Sequence, residues 1–195
     1  MTYENAVYFK ITLLCGYKEE LQAYVDQALV EQDPLSNVVL ELSTAGSDDK
    51  KLLSVLNEYL LQIKDSDIDY NKTVFEFVMS FLRRKYVEES MSMADITSLM
   101  YRIAVYTDRY LDEPWHTMYF MGDMFAEAEA GFIDKVDYQH KFHAFLNEGI
   151  CFSGYPSIKP KEPMLKRLIK KILNKRCLTC LYQDGMCENF DKMEG

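Results

Sequence analysis

The sequence predicts an all-α protein, an irregular antiparallel multi-helix bundle or a short α-solenoid with a C-terminal basic helix. Three observations carry this. Apolar residues recur three and four apart rather than alternating, which is the period of a helix with one buried stripe. Only 8 Gly and 5 Pro interrupt 195 residues, and most of them fall between the periodic segments. Several of those segments also open on Ser or Asp, whose side chains accept from the free amides of a first turn, and close on Gly.

The first helix is expected from about Glu4 to Cys15, with Val7, Tyr8, Ile11 and Leu14 as one stripe and Gly16 supplying the left-handed residue that ends it. A second, from about Lys18 to Glu31, places Leu21, Tyr24, Val25, Ala28 and Leu29 on one face. Asp33-Pro34 predicts the cap and first turn of a short third helix ending near Gly46. Ser47, Asp48 and Asp49 open a fourth, in which the hydroxyl caps and the carboxylates meet the positive end of the dipole. It carries Leu52, Leu53, Leu56, Tyr59 and Ile63 and ends in the polar stretch Lys64–Asp67, and a fifth helix runs from about Tyr70 to Glu88. Ser92 and Asp95 read as a capping box, with Asp in the place of Glu or Gln, opening a sixth to about Tyr110. Pro114 fits only a first turn, so the seventh starts near Glu113 and stops before Gly131, and the eighth spans Asp134 to about Glu148, closed by Gly149.

Residues 1–149 thus read as one acidic helical domain. The proline-rich stretch 150–163 reads as a connection, 164–176 as a basic amphipathic helix, and 177–195 as a cysteine-containing tail. Hydrophobic residues make up 48% and charged residues 27%, which excludes disordered, collagen-like and low-complexity classes. No stretch reaches about 18 uninterrupted apolar residues, and the first fifteen residues lack a basic leader region. A cytoplasmic protein with reduced thiols is therefore expected, without a membrane span.

The formal charge of −9 makes the whole chain a poor ligand for polyanions and a good one for a basic partner. The charge is unevenly spread: residues 1–158 hold 13 basic and 26 acidic side chains, whereas 159–176 hold 8 basic and 1 acidic. The basic segment, with Lys166, Arg167, Lys170 and Lys171 as its anion-binding candidates, either docks on the acidic body or reaches for an external anion. It lacks the aromatic or Asn/Gln interleaving that base reading requires.

Cys177, Cys180 and Cys187 form a C-x2-C-x6-C array that supplies three thiolates for zinc but no fourth ligand. Ordinary free thiols are the expectation, and zinc is the cofactor to test for. Glu113/His116 and Asp137/His140 each set a carboxylate three residues before a histidine, the spacing of di-iron bundles, but Pro114 and the Asp depart from that pattern. His140 and His143 read as surface histidines, and Arg83-Arg84-Lys85 as cations complementing a helix C-terminus. No P-loop, G-x-G-x-x-G or G-x-S-x-G occurs, so nucleotide-binding and hydrolase readings have no positive motif.

Aromatic residues are densest at Tyr101, Tyr106, Tyr110, Trp115, Tyr119, Phe120 and Phe125, interspersed with carboxylates. Tyrosine offers a large contact area at small rotamer cost. Asp108, Asp112, Glu113, Trp115, Tyr119 and Asp123 are therefore the candidate partner-binding residues.

The segments Lys18–Asp26 (KEELQAYVD), Asp33–Ser43 (DPLSNVVLELS) and Asp48–Leu53 (DDKKLL) resemble small helical bacterial domains encoded near polymorphic toxins, a likeness covering about residues 15–130. The resemblance implies a toxin-neutralising immunity protein or a similar binding protein and leaves the basic segment and cysteine tail outside it. The resulting expectation is a non-enzymatic protein-interaction module that masks a basic toxin or nuclease. The alternative is a nucleic-acid-associated or metal-binding regulatory protein that uses the basic helix and the cysteine array.

Overall fold

The protein is described from a computed structural model that covers residues 1–63 and 70–152. The polar stretch from Lys64, the basic segment with Lys166, Arg167, Lys170 and Lys171, and the array Cys177, Cys180 and Cys187 lie outside the described residues. Among the described residues the fold is all-α, with helices α1 (Tyr3–Leu14), α2 (Glu19–Glu31), α3 (Asn37–Ala45), α4 (Asp49–Gln62), α5 (Phe75–Val87), α6 (Met93–Tyr106), α7 (Trp115–Glu129) and α8 (Lys135–Glu148). A single π-helical turn, Tyr70–Val74, leads into α5.

Helix α1 lies at the centre. It packs on α4, on the π-turn and on α6, and Ala6, Val7, Tyr8, Phe9, Ile11, Thr12 and Leu13 are all buried. The single stripe expected from Val7, Tyr8, Ile11 and Leu14 is thus too narrow, because α1 is covered on nearly every side. Its two buried residues with hydroxyls are satisfied, Thr12 donating to the Tyr8 and Phe9 carbonyls of the same helix (both 3.2 Å) and Tyr8 to the Glu20 carboxylate, so neither is stranded. On one side the chain packs as α2 on α3, α3 on α4 and α4 on α1. On the other, α5, α6, α7 and α8 close a ring in which each meets the next and α8 returns to α5. The neighbours run antiparallel, as short links require.

The helix ends show which local signals win. Thr2 accepts from the Asn5 amide (3.2 Å) and starts α1 just before the expected Glu4. Gly16, at φ +89°, ends it with the Tyr17 amide on the Thr12 carbonyl and the Gly16 amide on that of Leu13 (both 2.9 Å). The third helix does not begin at Asp33-Pro34. Leu35 first packs against the core and Ser36, extended at φ −74° and ψ 143°, takes the cap position, its carbonyl accepting from Val39 and Leu40. Helix α4 is capped by the Asp48 carboxylate, which accepts from the Lys50 and Lys51 amides (3.1 and 3.2 Å), rather than by the Ser47 hydroxyl. The expected capping box of α6 forms in half: Ser92 accepts from the Asp95 amide (3.2 Å), but the shorter Asp95 carboxylate takes the Ser92 hydroxyl (2.6 Å) in place of the Ser92 amide.

Helix α6 ends at Tyr106, a turn before the expected Tyr110. The Thr107 hydroxyl donates to the Ala104 carbonyl (2.6 Å) and accepts from the Arg109 amide, and Asp108 turns left-handed at φ +57°, a conformation Asp tolerates better than most side chains. The chain from Asp108 to Pro114 is consequently a loop. At its end the Glu113 carboxylate accepts from both the amide (3.2 Å) and the hydroxyl (2.8 Å) of Thr117, so it caps α7 from outside the helix. Gly122 stands midway along α7, where an added Cβ would meet only Tyr101 of α6 at 3.8 Å.

Two glycines therefore predict opposite responses. Gly122→Ala places a methyl in ordinary contact within a helix and is expected to stabilise by up to about 1 kcal/mol. Gly149→Ala forces a side chain into the left-handed cap of α8 at φ +69° and is expected to destabilise by about 1–2 kcal/mol. Urea midpoints of the two variants shift in opposite directions. Alkali supplies a second expectation. Burial pushes the phenols of Tyr8, Tyr70 and Tyr138 from 10.0 up to about 12, with Arg84 pulling Tyr8 back in part. Between those values the folded state keeps protons that the unfolded state has lost, so this stabilisation is complete below pH 10 and lost as the pH rises through 12. Phenolate absorbance and helical ellipticity should change together across that window.

Candidate functional site

A cleft of about 560 Å³ lies among α1, α2 and α5, lined by Thr12, Tyr17, Glu20, Phe81, Arg84 and Lys85 among others. A second of about 410 Å³ adjoins it and shares Glu20, Phe81 and Arg84. Concavity makes this the default place to look for a ligand, yet its cations are already spent. Arg84 is paired with Glu20, which also accepts from the Tyr8 hydroxyl at 2.6 Å. Lys85, only 8% exposed, bonds both oxygens of Glu89 (2.7 and 2.8 Å) and lies 4.5 Å from the Tyr17 ring centroid. The cluster Arg83-Arg84-Lys85 is accordingly structural, since Arg83 also donates to the Leu146 carbonyl at 2.6 Å. An anion would have to displace internal carboxylates to bind here.

The histidine and thiol candidates do not converge. Asp137 pairs with Lys141 at 2.7 Å on the outer face of α8, and His140 beside it is exposed. His143 packs its ring against Tyr86 and Phe142. His116 Nδ1 lies 3.7 Å from Glu113, but that carboxylate is engaged by Thr117. Among the described residues no group of three or more His, Cys, Asp or Glu is placed to hold a metal. Burial pushes the Cys15 thiol up to about 11, against a lowering pull from Arg102, so it is a neutral core group. Burial and the nearby Glu113 carboxylate also raise the pKa of the Cys151 thiol.

The α6–α7 face is different in kind. Helices α6 and α7 pack side by side, and across their junction the Tyr101 and Tyr119 ring centroids lie 4.9 Å apart, with Tyr110 of the loop 5.4 Å from Tyr119 on the other side. The rings are inclined by only 34° and 32°, a shallow stack. Core pairs such as Phe75–Trp115 (90°) and Tyr17–Phe81 (72°) meet edge to face instead. Tyr101 is 41% and Tyr110 37% exposed, and Val105, Tyr106 and the 77%-exposed Leu111 extend the apolar surface.

Asp108 and Asp112 of the loop and Asp123, one turn beyond Tyr119 on α7, are exposed, and none forms an ion pair among the described residues. The two arginines of this region are held elsewhere. Arg109 stacks over Tyr70 at 4.5 Å, and Arg102 donates to the Cys15 carbonyl at 3.4 Å.

Of the residues expected to meet a partner, Asp108, Asp112, Tyr119 and Asp123 belong to this face. Glu113 is exposed but committed to capping α7. Trp115 is withdrawn from the surface: it is 0% exposed, donates from Nε1 to Asn71 Oδ1 (3.0 Å), and packs on Tyr70 and Phe75. As the first residue of α7 it points inward to meet the π-turn, so it anchors the loop instead of touching a partner. Tyr101 and Tyr110 were not among the expected site residues. Their signal in the sequence was the aromatic density of the segment, but only the facing of α6 on α7 at Gly122 brings them to Tyr119.

No protein-family model, curated protein or solved structure matches this chain. The site thus rests on its own geometry: an exposed, stacked aromatic surface edged by unpaired carboxylates. Trp115 is the only tryptophan, which makes its placement directly measurable. Its emission should be blue-shifted and resist acrylamide quenching until the protein unfolds, and both properties should persist when the face is occupied.

Proposed function

We propose that this chain is a non-enzymatic binding protein that captures a basic protein on the α6–α7 face, and that it serves as an immunity protein masking a basic toxin or nuclease. The observation that carries the reading is the stack in which exposed Tyr101 and Tyr110 flank half-buried Tyr119, on a surface that also carries Asp108, Asp112 and Asp123, with no cation of the described residues paired to them. Exposed aromatics supply contact area, and unpaired carboxylates supply long-range attraction without a competing internal salt bridge to break. The acidic balance of residues 1–158, 26 acidic to 13 basic side chains, adds a field of the same sign. The resemblance of residues 15–130 to toxin-associated helical domains supports the immunity role.

The test begins with a pull-down from the native source and then measures association with the captured protein by stopped flow. A basic partner is expected, and its association should slow at least about tenfold between 0.01 and 0.15 M salt as the Debye length shrinks from about 30 to about 8 Å. Replacing Asp108, Asp112 and Asp123 by Asn should slow it at low salt, while Lys166→Gln, Lys170→Gln and Lys171→Gln together leave it unchanged or raise it. Dominance of the lysine set, as a nucleic-acid contact requires, or an acidic partner rejects this reading.

A further inference from the structure

We propose that the α6–α7 face is a receptor for arginine side chains, whose guanidinium groups stack on the outer rings of the Tyr101–Tyr119–Tyr110 cluster with Asp123 as counter-charge. This rests on the preceding reading and names the chemistry by which the basic partner is held. An aromatic ring is negative over its faces and positive at its edge. In core pairs such as Phe75–Trp115 and Tyr17–Phe81 one ring's face is satisfied by another's edge, and where buried rings are less inclined, as in Tyr138–Phe142 at 38°, both are enclosed by the core. In the exposed cluster the three rings lie at shallow inclinations, so the outer faces of Tyr101 and Tyr110 are left for a partner.

The surroundings of the cluster favour a cation. Tyr119 ionises less readily than an ordinary tyrosine, through its hydrogen bond to Tyr101 and the neighbouring Tyr101, partial burial and the Asp123 carboxylate. An incoming positive charge meets no internal competitor, because Arg109 and Arg102 are held by Tyr70 and the Cys15 carbonyl. The described residues already use this chemistry, in the Arg109 guanidinium 4.5 Å above Tyr70 and that of Arg84 5.8 Å above Phe81.

Arginine is favoured over lysine for physical reasons. Guanidinium is planar, weakly hydrated and able to stack while its N–H groups fork to a carboxylate, whereas an ammonium is compact and strongly hydrated. A lysine-rich segment would feel the same field without the stacking.

The probes are acetyl-tetra-arginine amide and acetyl-tetra-lysine amide, equal in charge, titrated by calorimetry into the full-length protein at 0.05 M salt. The arginine peptide is expected to bind roughly threefold to tenfold more tightly. In a Tyr101→Leu, Tyr110→Leu variant of unchanged circular dichroism that ratio should fall to about one with lysine binding kept, and Asp123→Asn should weaken both peptides. Equal affinities for the two peptides overturn the arginine preference while leaving the acidic-face reading standing. An arginine preference that survives loss of both tyrosines places the site elsewhere and overturns the proposal. So does failure of the arginine peptide to bind, or a dimer that sediments in the wild type and is lost in the tyrosine variant, which would make the face a contact between two copies.

Discussion

Everything in the body follows from the need to cover α1 on all sides. A helix that buries Ala6, Val7, Tyr8, Phe9, Ile11, Thr12 and Leu13 cannot lie on a surface, and each large apolar side chain withdrawn from water contributes about 1.5–3 kcal/mol. Neighbours must therefore approach from several directions. Helix α4 covers one side, α6 another, and the π-turn closes the gap between them. The position of α6 is set by this demand, and α6 in turn carries Tyr101 to the surface opposite Gly122. The candidate site is thus a by-product of core construction: the inner stripe of α6 (Ile96, Leu99, Met100, Ile103, Ala104) is fixed by α1 and α7, and the residues left outside become the face.

The two kinds of aromatic contact separate structure from recognition. Inside, rings and cations consume one another, as where Lys85 rests over Tyr17 and bonds Glu89, or where Glu20 holds both Arg84 and the Tyr8 hydroxyl. The cleft among α1, α2 and α5 is consequently self-neutralised. Outside, on α6 and α7, carboxylates and ring faces remain unspent. Burial of a charge is tolerated only when it is paired and hydrogen-bonded, and buried Lys85 meets this through exposed Glu89, within α5 and the turn that follows it.

Much of this was legible in the sequence, because helix period and cap chemistry act over a few residues. Gly16, Ser92, Asp134 and Gly149 delimit helices as their local chemistry requires. Local signals failed where a distant contact outbid them. Leu35 is drawn to the core, so the chain stays extended past Pro34 and Ser36 becomes the cap. Elsewhere another local bond prevails over the periodic pattern: Thr107 and Asp108 stop α6 early, and Glu113 reaches forward to Thr117 from before the helix. The site was legible as composition only. Density of Tyr and Asp pointed to residues 101–125, but which tyrosines stack depends on the register between α6 and α7, and no property of Trp115 alone tells that its neighbours Tyr70 and Asn71 will enclose it.

The Glu20–Arg84 pair across the clefts also has a bearing on how the molecule opens. Helix α2 buries only Leu21, Val25 and Ala28, and α3 only Val39 and Leu42, and of the thinly buried helices only α4, with Leu52 and Leu56, packs extensively on α1, whereas α1, α5 and α6 each hold six or more buried residues. Regions with few buried contacts exchange their amide hydrogens through sub-global opening, below the free energy of complete unfolding. Helices α2 and α3 therefore form the outer, more readily detached layer of the protein, fastened to α5 by a half-exposed ion pair that salt weakens. The α6–α7 platform belongs to the slowly exchanging half, so it can keep its shape while the opposite edge breathes.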